Sequence, residues 1–195
     1  MIRLDSDYWT QRYLNDDAGW DTGSITTPLK DYINQLKDKN IRILIPGAGN
    51  AYEAEYLFRK GFPNVHIIDL SEEPLNNFQK RLPDFPSENL LKGDFFEHDQ
   101  QYDLIIEQTF FCAIDPALRQ QYAGKMHSLL NAGGKLVGVL FNDKLNSDKP
   151  PFGGSKEEYV IYFEKGFELK VFETCYNSIK PRAERELFVI LLKKQ

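Results

Sequence analysis

Short apolar runs alternate with helical stretches along this chain, and that alternation restricts the fold more than any other feature. The runs are Ile41-Arg42-Ile43-Leu44-Ile45, Val65-His66-Ile67-Ile68, a weaker one at 89–92, Tyr102-Asp103-Leu104-Ile105-Ile106, and 135–141. Each has the length and composition of a strand in a buried parallel sheet. Residues 51–60 then predict a helix closed by Gly61. Ser71 caps a second, with Glu72 and Glu73 at its positive end and Leu75, Phe78 and Leu82 on one face. Asp115-Pro116 opens a third, which carries Leu118, Tyr122, Met126 and Leu129 and stops at Gly133-Gly134. Ser155-x-x-Glu158 is a capping box for a helix ending at Gly166. Two more helices precede the first strand, around 6–15 and from Thr27-Pro28 onward, the latter with Leu29, Ile33 and Leu36 inward. The tail holds two strands, about 168–173 and 187–192, whose short polar connection suits an antiparallel hairpin better than a crossover.

Together these elements predict an α/β, Rossmann-like fold: a seven-stranded, mostly parallel sheet with helices on both faces and an antiparallel final hairpin. At 195 residues, 42% hydrophobic and 27% charged, the chain suits a single domain, 1–195. A net charge of -5 argues against nucleic acid as a partner. The runs at 136–141 and 187–192 are too short to cross a bilayer, and no long apolar stretch follows Met1-Ile2-Arg3-Leu4, so neither a membrane span nor a secretory leader is expected. Cys112 and Cys175 are too few for a disulfide framework. A soluble cytoplasmic protein, monomeric or weakly dimeric, is the expectation. His66, His98 and His127 lie on separate elements without ligand spacing, so no metal site is expected.

Gly47-Ala48-Gly49 ends the first strand, where a sharp turn must bring backbone close to a ligand. A dinucleotide fingerprint would place a third glycine at Tyr52, and the bulky side chain argues against a seated pyrophosphate. Asp69, at the end of the second strand, is placed to accept both hydroxyls of a ribose, though a solvated strand-end carboxylate would look the same. In Gly93-Asp94-Phe95-Phe96, Asp94 suits the exocyclic amine of an adenine and Phe95 one face of its ring; a helix cap is the other reading of Asp94. Glu107 ends the fourth strand, either holding a ligand amino group or capping the next turn. The long loop 142–154 follows the fifth strand, at the sheet edge where ligand-binding segments lie.

Ile45-Pro46-Gly47-Ala48-Gly49 with Glu53, Asp69-Leu70-Ser71, Gly93-Asp94-Phe95-Phe96 and Phe110-Phe111-Cys112-Ala113-Ile114 resemble the thiopurine S-methyltransferase family, particularly its halide/thiol methyltransferase-like branch. Gly19-Trp20-Asp21 followed by Thr27-Pro28-Leu29 adds to the likeness, which runs from about Trp9 to the end of the chain. The resemblance implies a class I S-adenosyl-L-methionine-dependent methyltransferase releasing S-adenosyl-L-homocysteine, with a helical lid over 1–38 and a core over 39–195. It implies that Trp9, Tyr13 and Trp20 close over the cofactor, where an aromatic face suits a sulfonium cation. Gly47, Gly49, Glu53, Asp69, Leu70, Ser71, Asp94, Phe95 and Glu107 complete the implied cofactor set, and Gln108, Phe111, Phe141 and Arg182 the acceptor pocket. Most class I enzymes carry an acid where Ile45 stands, whereas an aliphatic residue before proline is similar to this family's version. Halide/thiol relatives carry tyrosine at the positions of Gln108 and Phe141, a difference that bears on acceptor choice and leaves methyl transfer intact.

The implied chemistry is in-line displacement by a small-molecule acceptor, a thiol or similar soft nucleophile. Some thiolate exists at neutral pH without a dedicated base, so no catalytic residue is assigned. The alternatives are a nicotinamide-dependent oxidoreductase and a catalytically silent S-adenosylmethionine-binding protein.

Overall fold

A computed structural model describes residues 3–195; Met1 and Ile2, where the leader reading begins, lie outside them. The elements are α1 (Ser6–Leu14), α2 (Thr27–Asn34), β1 (Ile43–Pro46), α3 (Tyr52–Arg59), β2 (Val65–Asp69), α4 (Glu72–Arg81), β3 (Leu90–Lys92), β4 (Tyr102–Gln108), α5 (Arg119–Leu129), β5 (Leu130–Phe141), α6 (Lys156–Phe163), β6 (Phe167–Thr174) and β7 (Glu186–Lys193). One seven-stranded sheet has the order β3-β2-β1-β4-β5-β7-β6. The first five strands are parallel, and β7 runs antiparallel between β5 and β6. The expected α/β architecture and its terminal hairpin are therefore present.

Alternation along the central strands splits the core in two. Ile43 and Ile45 of β1 and Leu104 and Ile106 of β4 pack under α2, α3 and α4 against Leu29, Ile33, Leu57 and Phe78. Leu44 and Ile105 face the other way, onto Tyr122 and Met126 of α5 and Tyr159 and Phe163 of α6. The chain winds outward from β1 to β3, then crosses back to β4. The carboxyl ends of β1 and β4 therefore diverge at the switch point where open α/β sheets bind ligands.

Local corrections have local causes. A 3-10 turn, Pro116–Leu118, intervenes before α5, and it turns Leu118 out of the expected helical stripe to 37% exposure. α5 stops at Leu129 rather than at the glycines, and Gly133 (φ +75°) and Gly134 instead lie within β5. There the register jumps from Tyr102 opposite Leu130 to Leu104 opposite Lys135, so the glycines make an irregularity in the strand. α6 ends at Phe163, short of Gly166. Its capping box is half formed. Ser155 Oγ accepts from Glu158 N–H at 3.4 Å, but the Glu158 carboxylate turns to Arg119 Nη1 at 2.8 Å.

Candidate active site

Beyond β1 the backbone enters the left-handed region at Gly47 (φ +56°), Gly49 (φ +52°) and Ala51 (φ +53°) before α3 begins. A Cβ on Gly47 would lie 2.3 Å from Phe110 Cδ2, and one on Gly49 2.9 Å from the Tyr13 hydroxyl oxygen. Space and conformation both demand glycine here. The tightened turn presents Gly49 N–H to Asp69 Oδ2 at 3.0 Å, while Ser71 N–H donates to Oδ1 at 2.9 Å. Burial pushes the Asp69 carboxyl up to about 6, against the pull of these backbone amides.

Asp69 forms part of the wall of a cavity of about 850 Å3, toward the upper end of the roughly 300–1,000 Å3 typical of small-molecule sites. Around Asp69 stand Gly47, Ile68, Leu70, Asp94, Phe95 and Phe110. The opposite end is largely apolar, with Cys112, Ile114, Phe141, Leu145, Pro150 and Pro151, and Arg182 beside them. Leu145 and both prolines come from the loop after β5, as expected. Trp9, Tyr13 and Trp20 line the cavity from the amino-terminal segment. Trp20 packs edge-to-face on Trp9 (5.6 Å, 84°) and on Tyr13 (5.6 Å, 86°). α1 is moored to the β2–α4 turn, where Ser6 Oγ donates to Leu70 O at 2.9 Å and the Thr10 and Ser71 hydroxyls lie 2.8 Å apart.

Several expected residues lie off this cavity. Ser71 is fully buried, caps α4 and meets Thr10. Glu107, also fully buried, is corrected from ligand contact to turn cap. Its Oε1 accepts from Phe110 N–H at 2.8 Å and Phe111 N–H at 2.9 Å, and Oε2 accepts from the Tyr122 hydroxyl. Burial raises its carboxyl to about 7. The turn it fixes holds Thr109 at φ +60°, unusual for a β-branched residue, and directs Phe110 rather than Phe111 into the cavity. Phe111 instead joins the core among Tyr122, Tyr159 and Phe163. Replacing Glu107 by Gln keeps one acceptor for the two amides but turns an amide donor toward Tyr122, whose buried hydroxyl hydrogen then loses its acceptor. We expect the urea unfolding free energy to fall by about 1–3 kcal/mol.

Glu53 and Gln108 border an adjoining recess of about 40 Å3, which shares Trp20, Gly47 and Thr109 with the cavity and is also lined by Asp21, Asn50 and Tyr52. Thr26 Oγ1 donates to Gln108 Oε1 at 2.9 Å, so Gln108 anchors the amino-terminal segment and does not line the larger cavity. Gln108 Nε2 and Asn50 Oδ1 are buried without partners among the described residues. Burial raises Glu53 to about 7. Tyr52, in the place of the third glycine, directs its hydroxyl to Asp21 Oδ2 at 3.3 Å. Arg182 is buried, with Nη2 donating to Trp20 O at 2.7 Å.

The sequence reading missed Arg12, whose guanidinium lies 4.9 Å from the Trp20 ring, and the cavity-facing side of Phe110. The spacing of Arg12 within α1, four residues after Tyr8, was the one local signal. Burial pushes the Cys112 thiol up to about 12, which leaves it no thiolate for attack at neutral pH. Among the described residues no cluster of metal-ligating side chains occurs, and no helix is long and apolar enough to cross a membrane.

Comparison with known proteins agrees with this geometry. A family profile described as thiopurine S-methyltransferase matches residues 4–191. A probable thiol methyltransferase 2 of Arabidopsis thaliana is 30% identical over 176 residues, covering 86% of this chain and 76% of the plant protein. A thiopurine S-methyltransferase of Pseudomonas aeruginosa (strain UCBPP-PA14) is 25% identical over 191 residues, 87% of either chain. Among solved structures, the 1,6-didemethyltoxoflavin-N1-methyltransferase of Burkholderia thailandensis superposes with a TM-score of 0.76 at 15% identity, covering 97% of this chain and 87% of that one.

Proposed function

The chain belongs to the thiopurine S-methyltransferase family, and from that premise we propose that its acceptor is a thiol or similarly soft nucleophile held at the apolar end of the cavity. The protein is an S-adenosylmethionine-dependent methyltransferase of small molecules. The observation that carries the acceptor reading is the continuity of the cavity. One space joins the Asp69 carboxylate, beneath the indoles, to the apolar wall at Phe141 and Cys112.

The residues present fit the cofactor. Asp69 would accept from ribose hydroxyls and Asp94 from the adenine amine, with Phe95 and Phe110 available to the faces of the base. The recess suits an amino-acid tail, because its two orphaned atoms are one acceptor, Asn50 Oδ1, and one donor, Gln108 Nε2. An ammonium and a carboxylate would satisfy them, and an ammonium beside Glu53 would favour its ionised form. When bound, the cofactor supplies a methyl group on a sulfonium, a leaving group that needs no further activation.

The protein's own task is then alignment and exclusion of water. Trp9 and Trp20 offer aromatic faces to the cation. The Arg182 charge favours an acceptor that arrives as a thiolate. On this reading the chain works as one domain, its segment up to residue 38 serving as lid over a core from 39 onward. The two free, buried cysteines suit a reducing, cytoplasmic setting. Nicotinamide chemistry is disfavoured by Tyr52, which stands where a dinucleotide fingerprint has its third glycine.

Calorimetry with S-adenosylhomocysteine should give a binding heat, and methyl transfer should be strongest to thiols in a panel that includes iodide and selenium or tellurium anions. Tight cofactor binding without turnover of any acceptor would favour the silent-binder reading. Trp20→Ala should raise KM for the cofactor about thirtyfold, the scale of one desolvated cation–π contact, and slow transfer. Unaltered kinetics would reduce Trp20 to packing.

A further inference from the structure

The amino-terminal segment after α1 is fastened to the sheet at several points. Asp21 accepts from Asn50 Nδ2 and the Tyr52 hydroxyl, binding it to the glycine turn, and Thr26 binds it to Gln108 at the end of β4. Both ties lie on the cofactor side. A third tie comes from the acceptor side, from the loop between β6 and β7. Arg182 Nη2 donates to the Trp20 carbonyl at 2.7 Å, across 162 residues of sequence.

The arginine that makes this tie is held rigidly. Its side chain is 9% exposed, its Nη1 lies 3.5 Å from Glu186 Oε1, and its guanidinium sits 5.5 Å from the Phe141 ring. Glu186, at the start of β7, is buried and takes the Ser178 hydroxyl at 2.8 Å on its other oxygen. Arg182 is thus braced from the sheet on one side and grips lid backbone on the other, while its own side chain forms cavity wall. A guanidinium serving only an anionic acceptor would have no need of the Trp20 carbonyl.

We propose that Arg182 is a positioning residue, a latch that couples the acceptor-side loop to the lid over the cofactor. The inference rests on the proposed function, since it requires the cofactor beneath Trp20. Because coupling between two sites is reciprocal, loosening the loop weakens cofactor binding, and bound cofactor orders the loop. Arginine suits this role better than lysine, because its planar fork reaches a carbonyl and a carboxylate together.

The chain contains only two tryptophans, Trp9 and Trp20, and both lie in the lid, so tryptophan emission excited selectively over the tyrosines reports on the lid. Wild type, R182M and R182K would be titrated with S-adenosylhomocysteine by tryptophan emission, with acrylamide quenching and circular dichroism on the same samples. R182M should raise Kd about fivefold or more and increase quenching, with R182K recovering part of both. If R182M leaves Kd and quenching at wild-type values and raises only the KM for benzenethiol, Arg182 serves the acceptor alone and the latch is overturned. Should R182M fail to fold, R182Q, which stays polar but loses the long guanidinium fork, decides, and wild-type affinity and quenching in that variant overturn the latch. Failure of the wild type to bind S-adenosylhomocysteine at all would instead remove the proposed function on which the latch rests.

Discussion

Gly47→Ala is expected to abolish cofactor binding and to destabilise the fold by roughly 2–5 kcal/mol. Two costs combine. A non-glycine residue at φ +56° costs about 1–2 kcal/mol, and overpacking adds about 1–3 kcal/mol. The overpacking cannot be relieved by a side-chain tip swinging away, because the new Cβ would meet Phe110 at Cδ2, Cγ and Cβ, 2.3 to 2.9 Å distant. Phe110 would have to move with its backbone, and that backbone is held by Glu107. The cavity wall and the glycine turn therefore fail together. Urea denaturation and calorimetry with S-adenosylhomocysteine measure the two effects. Gly124→Ala is the control, because a Cβ there meets nothing within 4 Å, and a helical glycine replaced by alanine should gain about 0.5–1 kcal/mol. A Gly47→Ala protein that binds the ligand as wild type does would contradict this account of the turn.

The second large effect concerns Asp69. Its replacement by Ala should weaken S-adenosylhomocysteine binding by roughly 1–3 kcal/mol, about fivefold to 150-fold, the loss of charge-assisted hydrogen bonds. Wild-type affinity should also depend on pH with a defined sign. The ribose hydroxyls donate, so the bound state requires the ionised carboxylate and holds fewer protons than free protein below the Asp69 pKa of about 6. Affinity should therefore fall as the pH drops, first through the Glu53 value of about 7, where the ligand ammonium favours the ionised form. It should fall more steeply below the Asp69 value of about 6, each group contributing up to about tenfold per pH unit. Asp69→Asn removes one of the two titrating groups, so its weaker affinity should lose the steeper limb below about pH 6. A wild-type affinity that stays level down to pH 5 would show that Asp69 does not contact the ribose.

The parts of the fold legible in the sequence were those whose causes are local. Ile43 to Ile45 alternate between the two core faces, and Gly47, Gly49 and Asp69 sit at strand ends where turn chemistry and strand direction already specify their surroundings. Glu107 was ambiguous for a physical reason: a carboxylate ending a central strand can serve a ligand or the next turn, and only the backbone positions of Phe110 and Phe111 decide. Exchange of Phe110 for Phe111 in the cavity follows from the left-handed Thr109, which no neighbouring residue announces. Leu118 fits the helical spacing but sits in a tighter turn, so the spacing misdirects it. Glu158 satisfies the capping-box pattern, but Arg119, brought near by tertiary packing, competes for its carboxylate. Arg182 depends on Trp20, a partner that no sequence window contains.

The order of the strands also bears on how this molecule behaves when crowded. Its sheet terminates at β3, only three residues long, and at β6, whose outward positions carry Glu168, Lys170 and Glu173. A stub and a charged border give an incoming chain little template for strand addition. Inserting β7 inside β6 keeps the apolar Leu187, Val189 and Leu191 away from the rim. Pairing of the sheet from one copy to the next is thereby disfavoured at both margins.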